Sequence, residues 1–117
     1  MGLKRQQMTA LSGLMEARFM AGQGTLKQRL AEEARIAASI AEIEEARRKA
    51  MADATDPIHF SPSHARATNV WLRWTEARKA VLNRDLARAR AASASARKAL
   101  ARSFGQMQAS RDLARKL

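Results

Sequence analysis

From Leu82 to the C-terminus, apolar and small side chains recur at alternating steps of four and three residues. The positions are Leu82, Leu86, Ala89, Ser93, Ala96, Leu100, Ser103, Met107, Ser110, Ala114 and Leu117. Such a repeat, sustained over five heptads without a Pro, is typical of a coiled-coil helix. Much of the repeat is Ala or Ser, which lets two helices approach closely but removes little apolar area from water. The pattern therefore predicts a long helix that requires a long partner.

A less regular repeat in the first half of the chain predicts that partner, a helix from Leu3 to Ala52. The repeating positions are Met8, Leu11, Met15, Phe19, Gly22, Leu26, Leu30, Glu33, Ala37, Ile40 and Ile43. Two glycines, Gly22 and Gly24, weaken it, because together they cost a helix interior on the order of 2 kcal/mol relative to Ala. Thr25-Leu26-Lys27-Gln28 fits a capping box, which allows a break at this point. We predict a continuous helix that bends or frays there.

A turn separates the two repeats. Pro57 lacks an amide hydrogen and disfavours helix at the preceding residue, whereas Ser61 followed by Pro62 is a strong helix-start signal. We predict an all-α fold in which two long helices form an antiparallel coiled-coil hairpin. Its single domain, 1–117, has helix one at about 3–52, the turn at about 53–61 and helix two at about 62–116. Helix two is predicted to open on a different packing face, formed by Val70, Trp74, Ala77 and Val81.

Charge adds a second property to this picture. The chain contains 22 Lys/Arg and 11 Asp/Glu, and the net charge is +1 for residues 1–60 and +10 for residues 61–117. A basic second helix favours an acidic partner. The absence of Cys excludes a disulfide framework and a thiolate metal site and fits a reducing compartment. No apolar run approaches the roughly 20 residues that span a bilayer.

No constellation in the sequence indicates catalysis, a cofactor or a small-molecule substrate. A Gly-rich phosphate loop is absent, and so is a Ser/His/Asp grouping in a pocket-forming fold. Asp56, His59 and His64 lie close together in sequence, but no i,i+4 His pair fixes a metal geometry. Exposed histidines near a turn are the preferred interpretation. We therefore predict a protein that is not an enzyme and that holds neither a metal ion nor a cofactor.

Trp71 and Trp74 leave two interpretations open. In the first, both indoles pack against the end of helix one, near Ala46 and Ala50. In the second, at least one indole anchors a partner, because a two-helix hairpin buries two indoles poorly. Trp with nearby Arg, here Arg73 and Arg78, is a common composition of interface hot spots.

The basic residues of helix two leave three interpretations open: a solvated surface, an acidic protein partner, or nucleic acid. Nucleic-acid binding uses Lys and Arg contacts to phosphates, and single strands also stack on exposed aromatic residues. Aromatic residues make up 4% of the chain, which makes nucleic-acid binding the less favoured interpretation.

Two stretches of helix two, together with the hairpin architecture, carry a resemblance to a known family. They are Trp71-Leu72-Arg73-Trp74-(x)3-Arg78-(x)3-Leu82-Asn83-Arg84-Asp85-Leu86-Ala87 and Leu100-(x)3-Phe104-Gly105-Gln106. The combination resembles the flagellar export protein FliJ and its virulence-secretion counterpart YscO. The first helix matches that family only in type.

The resemblance implies a stalk protein of bacterial type III export. The end with both termini would sit in the pore of a hexameric export ATPase, and other surfaces would contact the export gate or chaperones. By position, the residues at the ATPase end would include Lys4, Arg5, Met8, Phe104, Met107, Arg111 and Arg115. Trp71, Trp74 and Arg78 would contact the gate or a chaperone. The expected location is the cytoplasm, with attachment to the inner face of the membrane only through partners.

Two alternatives from other classes stay open beside this interpretation. One is a basic helical nucleic-acid-associated protein. The other is a purely structural coiled-coil oligomer that associates through its Ala-rich repeat.

Overall fold

The computed structural model describes residues 2–58 and 60–117, and it consists of two long helices. Helix α1 spans Gly2–Ala54 and helix α2 spans Pro62–Lys116. None of the described residues lies in a strand. The helices pack antiparallel, since Glu16 contacts Arg111 whereas Glu44 contacts Lys79. The predicted all-α hairpin is therefore confirmed, and α1 ends two residues later than the sequence suggested.

Local hydrogen bonds end α1 after Ala54. The Thr55 N–H donates to the carbonyl of Met51 at 3.2 Å, and the Thr55 hydroxyl donates to the carbonyl of Ala52 at 2.9 Å. The Asp56 carboxylate then accepts the N–H of Ile58 at 3.0 Å, an Asx turn around the intervening Pro. The chain leaves the helix at the position where Pro57 makes its continuation unfavourable.

Helix α2 begins as the sequence predicts. The Ser61 hydroxyl accepts the N–H of His64 at 3.1 Å, and Pro62 is the first helical residue. Ser61 is therefore the N-cap, satisfying one of the amide groups that a helix start leaves without a backbone partner.

Helix α1 continues without a break through Gly22 and Gly24. No described Gly has a positive φ. The Thr25 hydroxyl donates to the carbonyl of Ala21 at 3.2 Å, an arrangement of a helix interior rather than of a cap. The predicted continuity of the helix is confirmed, the predicted bend or fraying stays a prediction, and the possible capping box at Thr25 is not formed.

Contacts between the helices divide into two compact units, to which each helix contributes one segment. The terminal unit comprises the described part of Met1–Ala31 together with Arg90–Leu117, and the turn unit comprises Glu32–Ala89. The row of side chains between the two helices of a unit is called the seam below. The prediction of one domain over 1–117 stays a prediction.

The seam of the turn unit contains the largest buried apolar cluster among the described residues. Ile36, Ile40, Leu82 and Leu86 are buried, and Ile43 and Ala89 pack against them. Ile36 is only 4% exposed. At about 1.5–3 kcal/mol for each fully buried large aliphatic side chain, this cluster is the main source of apolar stabilisation in the turn unit.

The predicted first packing face of α2 is wrong. Val70, Trp74, Ala77 and Val81 are exposed. The less exposed residues of this segment include Thr68, Leu72, Thr75 and Lys79, which extend the alternation of Leu82 and Leu86 in phase back towards the start of the helix. Polar residues are tolerated between the helices here because α1 supplies hydrogen-bonding and charged partners for them.

The predicted repeat of α1 is displaced by one residue at two positions. Leu11 and Ala37 are exposed, and their neighbours Ser12 and Ile36 occupy the inner positions. At Ser12 the alternation of three and four continues through the neighbour, whereas at Ile36 two successive steps of three shift the repeat. At Ser12 the inner residue is polar, so a search for apolar residues selects Leu11 instead.

The seam of the terminal unit is built largely from small residues on its α2 side, whereas α1 contributes larger side chains such as Phe19, Leu26 and Leu30. Ser93 and Ser110 are buried, and their hydroxyls donate to the carbonyls of Arg90 and Met107 in the same helix. A Cβ atom at Gly22 would lie 3.2 Å from Cδ1 of Leu100, so the Leu side chain fills space that Gly leaves open. The repeat predicted for α2 beyond Leu82 is confirmed here except at Leu117, which is exposed.

Candidate protein-binding surfaces

The positive charge of the chain is concentrated in the terminal unit. Residues 1–31 and 90–117 contain twelve Lys/Arg and two Asp/Glu, a net charge of +10. Residues 32–89 contain ten Lys/Arg and nine Asp/Glu, a net charge of +1. The fold therefore combines the cationic C-terminal segment with an N-terminal segment of the same sign.

Most cations of the terminal unit lack an acidic partner within the described part of the chain. Its two acids are used by Arg111, which lies 2.7 Å from Glu16 on α1, and by Arg115, which pairs with Asp112 on α2. Nine of the other Lys/Arg side chains in this unit form no ion pair with any described residue: Lys4, Arg5, Arg18, Lys27, Arg29, Arg97, Lys98, Arg102 and Lys116. All nine are exposed. This surface can attract an anionic partner over a distance of about a Debye length, 8 Å at physiological salt.

The apolar residues that the resemblance assigns to this end have different exposures. Met8 is half-buried, and Met107 is 5% exposed between the helices. Met107 is therefore a packing residue rather than a surface contact, a correction that follows from its place in the seam. The Phe104 ring is partly exposed and packs against Phe19, with ring centroids 5.6 Å apart and planes tilted by 52°.

The outer face of α2 in the turn unit presents a second surface, called the Trp74 stripe below. It consists of Val70, Trp74, Ala77 and Val81, which lie at positions i, i+4, i+7 and i+11 of the helix. Trp74 is 62% exposed and Val70 is 66% exposed. Residues with this spacing lie on one side of a helix, so the four side chains form a continuous apolar row.

Arginines border the Trp74 stripe on both sides. They are Arg66, Arg73, Arg78 and Arg84, all exposed and none in an ion pair within residues 2–58 and 60–117. The acids of this α2 segment are Glu76 and Asp85, and each lies near a basic group, Arg47 at 3.1 Å and Arg88 at 3.8 Å. The border of the stripe is therefore positively charged.

The two tryptophans have separate environments. Trp71 is half-buried and lines a groove with Ala46 and Ala50, as the first interpretation of the sequence predicts for both indoles. Trp74 points outward, as the second interpretation requires for at least one of them. Of the residues predicted to bind the gate or a chaperone, Trp74 and Arg78 share the exposed surface and Trp71 lies nearer the seam.

Arg47 determines which face of α2 points outward, and the sequence analysis missed it. One guanidinium nitrogen donates to the Leu72 carbonyl at 2.8 Å and to the Thr75 hydroxyl at 2.7 Å, and the other lies 3.1 Å from Glu76. Thr75 is 1% exposed, and its hydroxyl donates to the Leu72 carbonyl at 2.8 Å. Holding Thr75 inward directs the adjacent Trp74 to the outside. The available signal was the spacing, since Arg47 follows Ile43 by four residues.

Across the described ranges, no three His, Cys, Asp or Glu residues are grouped as a metal site would require. His64 is exposed in the first turn of α2, and His59 lies outside the described residues. No described helix has an apolar stretch long enough to cross a bilayer.

No protein family, curated protein or solved structure matches this chain. The resemblance to the FliJ and YscO family stays a prediction.

Proposed function

We propose that this protein is a non-enzymatic coiled-coil stalk and escort component of a bacterial flagellar (type III) protein export apparatus. In this proposal the terminal unit binds and modulates a hexameric export ATPase. The supporting observation is the net charge of +10 on the unit that contains both terminal segments. The family resemblance of the α2 sequence supplies the identity of the partner.

A cationic pair of helices suits an acidic ring for a physical reason. Charges of opposite sign steer association and favour one orientation, even where each exposed ion pair adds little affinity. Because at least nine cations of the terminal unit lack an acidic partner among the residues that the structure describes, they are available for such a ring. The second contact in this proposal, with the export gate or a chaperone, is made by Trp74 and Arg78 on the turn unit.

Nucleic-acid binding is the second candidate, since the same cations fit phosphates. The aromatic residues of the terminal unit are Phe19 and Phe104, and their rings pack on each other. They leave little ring surface on which bases of a single strand would stack. The test therefore has to include binding to duplex nucleic acid through phosphate contacts alone.

The test compares two charge reversals of equal size. The terminal variant is Arg97→Glu/Lys98→Glu/Arg102→Glu, and the matched control in the turn unit is Arg66→Glu/Arg73→Glu/Arg84→Glu. Each is titrated at about 150 mM salt against a hexameric type III export ATPase and against duplex DNA and RNA, with ATP hydrolysis as a second readout. Circular dichroism checks that each variant stays helical.

We expect the terminal variant to weaken ATPase binding at least about tenfold and the control to change it less than about threefold. Tight nucleic-acid binding that the terminal variant removes, without ATPase binding by the wild type, would replace the proposal with the second candidate. Equal losses from both variants would show that general charge, and not the terminal unit, makes the contact.

A further inference from the structure

We propose that the Trp74 stripe binds an acidic amphipathic helix of a partner protein. Such a surface is unusual on a coiled coil, because the outer faces of such helices are normally polar. Here an indole and two Val side chains form an apolar row on the side of α2 that does not face α1. An exposed apolar row bordered by charge is the composition of an interface rather than of a solvated surface.

The spacing of the stripe indicates that its partner is a helix. Steps of four, three and four residues from Val70 to Val81 are the same alternation with which α2 packs on α1. A second helix with apolar residues in a heptad repeat would interdigitate with this row, making a local three-helix arrangement. The row rises about 16 Å along the helix axis, so about three turns of the partner cover it.

The bordering charges indicate that this helix is acidic. Arg73 and Arg78 flank Trp74, and Arg66 and Arg84 extend the positive border along α2. These positions correspond to those beside a coiled-coil seam, where residues of opposite sign select the partner. Asp or Glu beside the apolar positions of the partner would meet these guanidinium groups.

The same charges argue against a second copy of this chain on the stripe. Two stripes placed face to face would bring their arginines together, and like charges across an interface oppose association. Nucleic acid would satisfy the arginines but leave Val70 and Val81 without an apolar partner.

In the proposed function the turn unit contacts the export gate or a chaperone, and this inference adds that the contacting segment is an acidic amphipathic helix. It rests on the proposed function only for the identity of the protein that carries this helix. It requires neither an export ATPase nor the charge of the terminal unit. Its failure and that of the stalk proposal are therefore distinguishable, since the variants below lie outside the terminal unit and are also assayed for ATPase binding.

The probe is a synthetic helical peptide of three heptads, with Leu at the two seam positions and Glu at the flanking positions. Its counterpart has Lys in place of each Glu. Binding to the full chain is measured by calorimetry at low and physiological salt. The variants are Trp74→Ala and Arg73→Glu/Arg78→Glu. The matched controls are Leu14→Ala, an apolar residue of the terminal unit that is also 62% exposed, and Arg97→Glu/Lys98→Glu.

We expect the acidic peptide to bind, more tightly at low salt, and the basic peptide not to bind. Trp74→Ala should weaken binding at least about tenfold, as for a hot-spot Trp, and Leu14→Ala should leave it within about twofold. Arg73→Glu/Arg78→Glu should reverse the preference, so that the basic peptide binds in place of the acidic one. The control reversal at Arg97 and Lys98 should not.

Three results would overturn the proposal. The first is no binding of the acidic peptide at concentrations up to about 1 mM, a very weak interaction. The second is equal binding of both peptides, and the third is unchanged affinity in Trp74→Ala. Vesicles of phosphatidylcholine with phosphatidylserine form a further arm. Vesicle binding that depends on Trp74, without peptide binding, would reassign the stripe to an anionic membrane surface.

Discussion

The turn unit and the terminal unit are formed by the same two helices and follow the same heptad spacing, yet their seams and their charges differ. In the turn unit, Ile36, Ile40, Leu82 and Leu86 are buried together, and acids and bases are nearly balanced. In the terminal unit, Gly and Ser occupy many inner positions, and cations outnumber acids by ten.

This difference shows that a heptad repeat does not by itself say where a hairpin is stabilised. Burial of large aliphatic side chains stabilises the pairing in the turn unit. In the terminal unit, small side chains contribute less apolar burial and like charges oppose pairing, while the same charges are available to a partner. We therefore expect stability and partner attraction to be concentrated in different units, and the following variants test that division.

The largest expected effect is the loss of a buried aliphatic side chain from the turn unit. Ile36→Ala should lower the free energy of unfolding by about 3–4 kcal/mol, because it leaves a cavity in the best-packed part of the seam. Leu100→Ala in the terminal unit should cost about 2 kcal/mol, since Leu100 is only half-buried against Gly22. Urea unfolding followed by circular dichroism measures both. Equal costs would remove the distinction between the seams.

The next effect is a smaller loss of stability, which should differ between two adjacent arginines of the turn unit. Arg47→Ala should cost about 1–3 kcal/mol, because it removes hydrogen bonds to Leu72 and Thr75 between the helices. The control, Arg48→Ala, removes only an exposed pair with Glu45 in the same helix and should change thermal unfolding little. A similar loss from both variants would mean that Arg47 contributes only as a surface charge.

Glycine substitutions test how closely the helices of the terminal unit approach. Gly24→Ala should stabilise the protein by about 1 kcal/mol through helix propensity, since nothing lies within 4 Å of an added Cβ. Gly22→Ala should gain less, because its Cβ would press on Leu100 at 3.2 Å. In a Leu100→Ala background the difference between the two glycine variants should disappear. If Gly22→Ala gains as much as Gly24→Ala in the wild type, then Leu100 does not occupy this space.

The smallest predicted effect is a loss of stability at low pH. Hydrogen bonds from Arg35 and its positive charge lower the pKa of the Glu32 carboxyl in the turn unit. Because the folded pKa is the lower one, the pair stabilises the protein above the ordinary pKa of Glu, and this contribution is lost as pH falls through the lowered value. An NMR titration should show that Arg35→Gln raises the pKa of Glu32. An unchanged pKa would mean that the pair does not form in solution.

The sequence predicts the features that depend on local spacing. Ser61 and Pro62 start α2 because their capping geometry involves only neighbouring residues. The repeat from Leu82 onwards is correct for the same reason, since its alternation is uninterrupted. These features define the two helices and the antiparallel hairpin, but they do not define which face of each helix turns inward along its whole length.

The phase of α2 before Leu82 was not predicted because it depends on a partner far away in sequence. Val70 and Trp74 look like core residues, whereas Thr75 looks like a surface residue until Arg47 is placed beside it. The candidate surface was partly predicted, since Trp74 and Arg78 were identified as possible contacts. That they form one exposed row with Val70 and Val81 could be predicted only by knowing that other residues occupy the inner face of α2.

The contact between Arg47 and Thr75 also determines the register of the turn unit. Heptads resemble one another, so two helices joined by repeats can be misaligned by seven residues, although here such a slide would also place Ala89 and Ser93 where Leu82 and Leu86 pack. Sliding α2 by one heptad would place Leu82 where Thr75 now lies and Asn83 where Glu76 now lies, so that Arg47 would lose a hydroxyl acceptor and a carboxylate partner while a backbone carbonyl remained. A partly buried guanidinium with fewer acceptors is less stable. A single polar residue in the seam thus favours the same alignment as the aliphatic residues around it.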